Sequence, residues 1–377
     1  MPAPAWSRRL PWEHPTNRLT RAVAERKARG LPVLDLTETN PTRVGIPYPE
    51  EELAEILRRS ADPTYEPHPR GSLAAREALA ASLSCSPDDL VLTASTSESY
   101  SYLFKLFGDP GDEVLTAAPS YPLLDSLAAL EGLTLSHFHL PPSRRFALDV
   151  ERVELALTPR TRLLVLVHPG NPTGAFLSAA EQDAVAELCA ARGLPVISDE
   201  VFADYPLGDV HPRPMAAVSG EALSFSLGGL SKSAGLPSWK LGWIRVGGPA
   251  ELRRRAVAAL EMVADSYLSV GTPVQRALPE ILEIAPRIRA AIRERILGNL
   301  QTLRSLPGLL EPAGGWSAVV RFGLPQPDEE LALEMLENTG VLVHPGYFFD
   351  FATDDFLVLS LLPEPERFAE GVRLLPP

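Results

Sequence analysis

The sequence predicts an α/β fold: a mostly parallel seven-stranded sheet between helices, joined to a smaller α+β unit. Three observations predict it. Seven short β-branched or Leu-rich runs fall between residues 89 and 246, and amphipathic stretches separate most of them. Beyond Gly247 the texture changes to long helical patterns and then to a compact strand-and-helix segment. With 377 residues the chain is long enough for two domains around a large core.

The seven runs are "DLVLTA" (89–94), "DEVLTA" (112–117), "LTLSHF" (133–138), "TRLLVLVH" (161–168), "LPVISD" (194–199), "ALSFSL" (222–227) and "LGWIRV" (241–246). "SYSYLFKLF", "YPLLDSLAALEG" and "SAAEQDAVAELCAARG" supply helices between them. Helical patterns then cover 249–264 and 272–305, with Pro273, Pro279 and Pro286 marking kinks or breaks. "GGWSAVVRF" reads as a strand, 327–339 as a helix, "GVLVHP" and "FLVLSLL" as strands, and 363–375 as a closing helix. The 38 prolines are spread along the chain, so they punctuate turns and form no linker.

Composition excludes several classes. A net charge of −13 disfavours a nucleic-acid partner, which needs a basic patch. The arginines of 253–255 and 287–295 recur at helical spacing and read as solvated helix faces. No apolar run approaches the roughly 20 residues of a membrane span. "MPAPAWSRRLPWEHPTNR" lacks the apolar core of a secretory signal, so a cytoplasmic address is expected. Cys85 and Cys189 stand far apart without metal-ligand spacing; no disulfide framework and no metal site are expected.

Only four lysines occur among 35 basic residues, and two of them, Lys232 and Lys240, lie in the loop "SFSLGGLSKSAGLPSWKLGW" (224–243). A lysine desolvated between two strands is a nucleophile toward carbonyl carbon; in the open it is a surface charge. "TASTSE" (93–98) follows a strand and opens a helix, a pattern that serves either as an N-cap or as an anion site. "HPGNPTG" (168–174) presents Asn171 in a Pro/Gly turn. "ISDEVF" (197–202) ends a strand on Asp199, a helix cap or the partner of a buried cation. Taken together with "PSYP" (119–122), these are the parts that hold a phosphorylated, positively charged pyridine aldehyde.

In this order and spacing the chain resembles, over essentially its whole length, the class I/II aminotransferases of the fold-type I pyridoxal-phosphate superfamily. The resemblance implies that Lys232 forms the Schiff base with pyridoxal 5'-phosphate and then shuttles protons. It implies that Asn171 donates to the cofactor's 3-oxygen, Asp199 pairs with the protonated ring nitrogen, and Tyr121 stacks on the ring. Ser95, Thr96, Ser97 and Ser231 would receive the phosphate. Tyr65 would reach the phosphate of a neighbouring subunit, which implies a homodimer with shared sites. The family's architecture implies a large cofactor-binding domain over 45–285 and a small domain made of 1–44 together with 286–377. The implied reaction is ping-pong transfer of an amino group from an amino acid to a 2-oxo acid. Elimination, decarboxylation, cyclisation or oxidation on the same cofactor is the alternative, and a non-catalytic regulator keeping the fold is the other.

Four positions depart from the family pattern. Lys240 stands where an arginine usually binds the phosphate; it still binds as a point charge but loses the bidentate fork. Gly229 replaces a phosphate-binding serine, and Phe202 replaces a tyrosine whose hydroxyl reaches the 3-oxygen. Val358 replaces the arginine that grips the substrate carboxylate. Arg43, in the loop "TETNPTRVGIPYP" (37–49), is the replacement candidate for that contact, and Glu38 in the same loop is a candidate for recognising an amine.

Overall fold

The computed structural model describes residues 5–12, 16–210, 212–218 and 220–376. The first half of the chain runs α1 (Arg18–Ala28), β1 (Leu34–Asp35), α2 (Glu50–Ser60), α3 (Leu73–Leu83), β2 (Leu90–Thr93), α4 (Thr96–Phe107), β3 (Glu113–Ala118), α5 (Leu123–Leu130), β4 (Thr134–His139), α6 (Val150–Ala156), β5 (Thr161–Val167) and α7 (Ala179–Arg192). It continues through β6 (Val196–Asp199), β7 (Ser224–Gly229), α8 (Leu230–Ser233), β8 (Gly242–Gly247), α9 (Ala250–Asp265) and α10 (Thr272–Leu303). The last part is β9 (Leu309–Leu310), β10 (Ser317–Arg321), α11 (Asp328–Thr339), β11 (Val341–Leu342), β12 (His344–Pro345), β13 (Phe356–Ser360) and α12 (Pro365–Arg373).

Each of the seven expected runs becomes a strand of one sheet, ordered β2-β8-β7-β6-β5-β3-β4. All neighbours pair in parallel except β8, which is antiparallel to both β2 and β7. Because side chains alternate across a strand, Leu163 and Val165 of β5 enter a core with α4, α5 and α9, while Leu164 and Leu166 enter another with α6 and α7. Burial on both faces explains why these strands read as apolar runs.

The remaining strands form a four-stranded antiparallel sheet, β12-β13-β10-β9, and the parallel pair β1–β11. "GVLVHP" therefore divides between two sheets instead of forming one strand.

Helix α10 fills the helical pattern expected over 272–305 and shows no break at its interior prolines. It runs through Pro279 and Pro286 as one 32-residue element. Each interior proline costs roughly 3 kcal/mol, but one stripe of the helix buries Ala277, Ile281, Ile288, Ile292, Ile296 and Leu303 completely or nearly so, and that burial outweighs the lost bonds. Nor are the 287–295 arginines simply solvated. Arg289 donates to the Ser233 carbonyl at 3.1 Å, and Arg295 to the carbonyls of Val44 at 2.7 Å and Leu362 at 2.9 Å.

This helix supports the lysine loop. Gly235 has φ +65°, and a Cβ there would lie 2.8 Å from Ile292 Cδ1, so only glycine fits. Replacing Ile292 with alanine is expected to destabilise the protein by about 2–5 kcal/mol, read by chemical denaturation.

Candidate active site

Parallel strands place their carboxyl ends along one edge, and the strand order gathers sequence-distant residues there. Tyr121 follows β3, Asn171 follows β5, Asp199 ends β6, and Ser231 and Lys232 lie in α8 just beyond β7. Ser95 follows β2, which runs in the same direction as β7 because β8 opposes both. A cavity of about 240 Å³ opens at this edge, and all of these residues together with Thr96 line it.

Lys232 is the amine of the cavity. Its Nζ makes no hydrogen bond among the described residues and lies 4.7 Å from the centroid of the Trp316 ring and 5.4 Å from that of Phe202. Burial pulls its pKa down to about 8, against the opposing pull of the Asp199 carboxylate. Tyr205 donates to the Lys232 carbonyl at 2.7 Å, and the rings of Tyr205 and Phe202 meet Trp316 edge-on at 5.1 and 5.3 Å. An aromatic box thus fixes the lysine.

Asp199 is 4% exposed, and burial raises its pKa. Its Oδ1 accepts from the Val201 amide at 3.2 Å and its Oδ2 from the Tyr100 hydroxyl at 2.9 Å. Ser95 caps α4, its Oγ accepting from the Glu98 amide at 3.3 Å, and also lines the cavity. Both expected uses of the "TASTSE" turn are therefore geometrically open at once. Ser97, half-buried in the first turn of α4, stands outside the cavity wall.

Other candidates lie apart. Lys240 is exposed in a left-handed turn (φ 48°) and lines a separate hollow with Ala94 and Trp239. Tyr65 is 69% exposed, on a groove shared with Tyr102 and Leu268. The loop of Glu38 and Arg43 reaches the cavity through Thr39. Glu38 accepts from the Asn40 amide at 2.8 Å, while the Arg43 side chain is exposed and makes no ion pair among the described residues.

Two departures acquire physical reasons. A Cβ on Gly229 would sit 3.3 Å from the Leu241 carbonyl oxygen, leaving little room for serine. Val358 is 3% exposed and packs with Phe146, Val319, Phe349, Phe351 and Phe356, so the spot holds an apolar cluster. Among the described residues, Lys232 and Asp199 are the only formally charged ones in the cavity wall. Sequence reasoning missed Tyr100, Tyr205 and Trp316. For the two tyrosines the available signal was that a buried phenol needs a polar partner; the buried Trp316 Nε1 has none among the described residues.

The residues fit a phosphorylated pyridine aldehyde: an amine whose pKa burial lowers to about 8, a buried carboxylate, a phenol ring, an amide and a helix N-terminus. This fold and this site define a pyridoxal-phosphate-dependent transferase of nitrogenous groups. The family model "Aminotransferase class I and II" matches residues 47–366, and the chain belongs to that family. It is 26% identical to the alanine aminotransferase of Mycobacterium tuberculosis, over 94% of this chain and 87% of the relative. It is 25% identical to the glutamate-pyruvate aminotransferase AlaA of Haemophilus influenzae, over 92% and 90%. A double mutant of Thermus thermophilus aspartate aminotransferase superposes with TM-score 0.84 at 26% identity, covering 99% of both chains. The protein is accordingly an aminotransferase that uses pyridoxal phosphate to move an amino group from an amino acid to a 2-oxo acid. Among the described residues no helix is long and apolar enough to cross a membrane.

Proposed function

We propose that Lys232 carries the chemistry, with Asn171, Asp199 and Tyr121 holding the cofactor ring and Ser95, Thr96 and Ser231 its phosphate, Ser97 contributing from outside the cavity wall through the N-terminal turn of α4. The observation that supports this most is the unbonded, desolvated Lys232 amine facing the same cavity as the buried Asp199 carboxylate. Pyridoxal phosphate, when bound, supplies an electron sink for the substrate's α-carbon. With the cofactor bound, the neutral Lys232 amine would hold its aldehyde carbon with loss of water and, once an incoming substrate amine had freed it, would carry the proton from the substrate's α-carbon. Asp199 would hold a positive charge at the ring nitrogen of the bound cofactor, and the rings of Phe202 and Trp316 shield the amine from water. The N-terminus of α4 offers backbone N–H groups to an anion, and Lys240, across the Ala94 turn, adds a positive charge.

Borohydride reduction of the holo-protein followed by peptide mapping tests the assignment. The expected result is a reduced adduct on Lys232; an adduct on any other lysine overturns it.

Arg43 is our candidate for the substrate carboxylate, supported by its unpaired side chain and by the apolar packing around Val358. Arg43→Ala is expected to raise KM for the amino donor about tenfold or more with kcat little changed, the loss of a charge-assisted contact. A fall in kcat alone would point elsewhere. Glu38, whose carboxylate braces the loop through Asn40, remains the proposed reader of an amine on the substrate.

The proposal includes a homodimer with shared sites, in which Tyr65 reaches the partner's phosphate. The exposed apolar side chains of Tyr65, Met262, Tyr267 and Leu268 support it, being the kind of surface an interface covers. It also divides the chain into a large domain, 45–285, and a small one, 1–44 with 286–377, of which residues 1–4, 13–15, 211, 219 and 377 lie outside those described. The β1–β11 pairing supports joining the two segments of the small domain. A cytoplasmic setting completes the reading, supported by the free thiols of Cys85 and Cys189.

A further inference from the structure

Tyr100 lies four residues beyond Thr96 on α4, and its hydroxyl meets Asp199 across the core. The two side chains are 1% and 4% exposed, and the O–H to Oδ2 distance is 2.9 Å. Among the described residues this hydroxyl has no other hydrogen-bond partner. An ionised carboxylate only accepts, so the direction of the bond is set: Tyr100 donates. The ring is held by packing in the core under the sheet and by a tilted contact with Phe104 at 5.8 Å. Burial, together with the Asp199 charge, pushes the phenol pKa well above its ordinary value, so the donor proton stays in place. Burial alone would favour a neutral Asp199. The Tyr100 and Val201 hydrogen bonds and the Lys232 charge oppose it.

We propose that Tyr100 is a positioning residue whose O–H keeps the Asp199 carboxylate ionised and aimed, so that it pairs with the protonated ring nitrogen of the cofactor. This rests on the assignment of Asp199 made above. A purely structural tyrosine would support the fold and leave the cofactor nitrogen indifferent to its loss. The two roles differ in what the ligand senses.

The test is binding to the apo-protein, by absorbance titration, of pyridoxal phosphate and of its 1-deaza analogue, in which a C–H replaces the ring nitrogen. The wild type is expected to prefer pyridoxal phosphate by about tenfold or more, since only that ligand offers a charge-assisted bond to Asp199. Tyr100→Phe is expected to weaken pyridoxal phosphate about tenfold and leave the analogue nearly unchanged, so that the preference collapses. Equal weakening of both ligands, or an undiminished preference, overturns the proposal. A wild type that shows no preference instead overturns the Asp199 assignment. Should Tyr100→Phe not fold, 4-aminophenylalanine in place of Tyr100, a weaker donor of the same shape, is expected to reduce the preference in part, and a preference equal to that of the wild type overturns the proposal.

Discussion

Lys232→Ala is expected to lower kcat at least about a thousandfold, because on the proposed assignment one change removes both the nucleophile and the base that moves the substrate's α-proton. The measurement is steady-state transamination with saturating donor and acceptor, and residual activity within tenfold of wild type would sink the assignment. The amine also leaves a signature in the apo-protein. Its pKa is depressed from 10.5 to about 8 by burial, so the neutral amine predominates above about pH 8. Covalent capture of added pyridoxal phosphate, followed by visible absorbance, should therefore reach its plateau rate just above that pH. For stability the sign is as follows: between about pH 8 and 10.5 the unfolded chain holds a proton that the folded chain lacks, so apo-protein stability rises with pH across that window. Below the window the full cost of a charged, enclosed amine is present. Lys232→Ala flattens that rise, which thermal melts of both apo-proteins at a series of pH values would reveal.

Asp199→Asn is the second large effect. Asparagine keeps the shape and one acceptor oxygen but removes the charge proposed to face the ring nitrogen, and breaking a buried pair in this way costs about 3–5 kcal/mol. We expect kcat to fall by about two to three orders of magnitude. The apo-protein should respond in the opposite sense. Burial raises the folded pKa of Asp199, so stability contributed by its protonated form falls as pH rises from its unfolded value through the folded one. At neutral pH, above the unfolded value, the wild type carries that cost and the asparagine variant does not. Asp199→Asn is therefore expected to melt higher than wild type as apo-protein at pH 7, while being the poorer enzyme. Such a trade places the carboxylate where chemistry, not folding, requires it.

Much of this was legible in the order of residues. The seven sheet runs read as strands because each is a short apolar stretch bounded by turn residues, and central strands buried on both faces can look like nothing else at that length. The turns at Ser95, Asn171 and Lys232 were visible because they directly follow such runs. Less legible was α10, where proline punctuation at 279 and 286 argued for breaks and a continuous buried stripe overrode it. Val358 could be marked as a departure, but the aromatic side chains that fill the space around it come from three stretches of chain. Lys240 likewise sits exposed beside the cavity region, a placement that depends on the left-handed turn before β8.

By itself the sequence determined the α/β class, the order of strands along the chain and the residue types offered at each strand end, because periodicity and turn chemistry are local properties. Only the tertiary structure decided which of those ends stand side by side, that Tyr100 reaches Asp199, and that Trp316, Phe202 and Tyr205 enclose the lysine. These contacts join residues up to about a hundred positions apart through strand order and core packing, and the desolvation that retunes Lys232 and Asp199 arises only when such distant side chains displace water together.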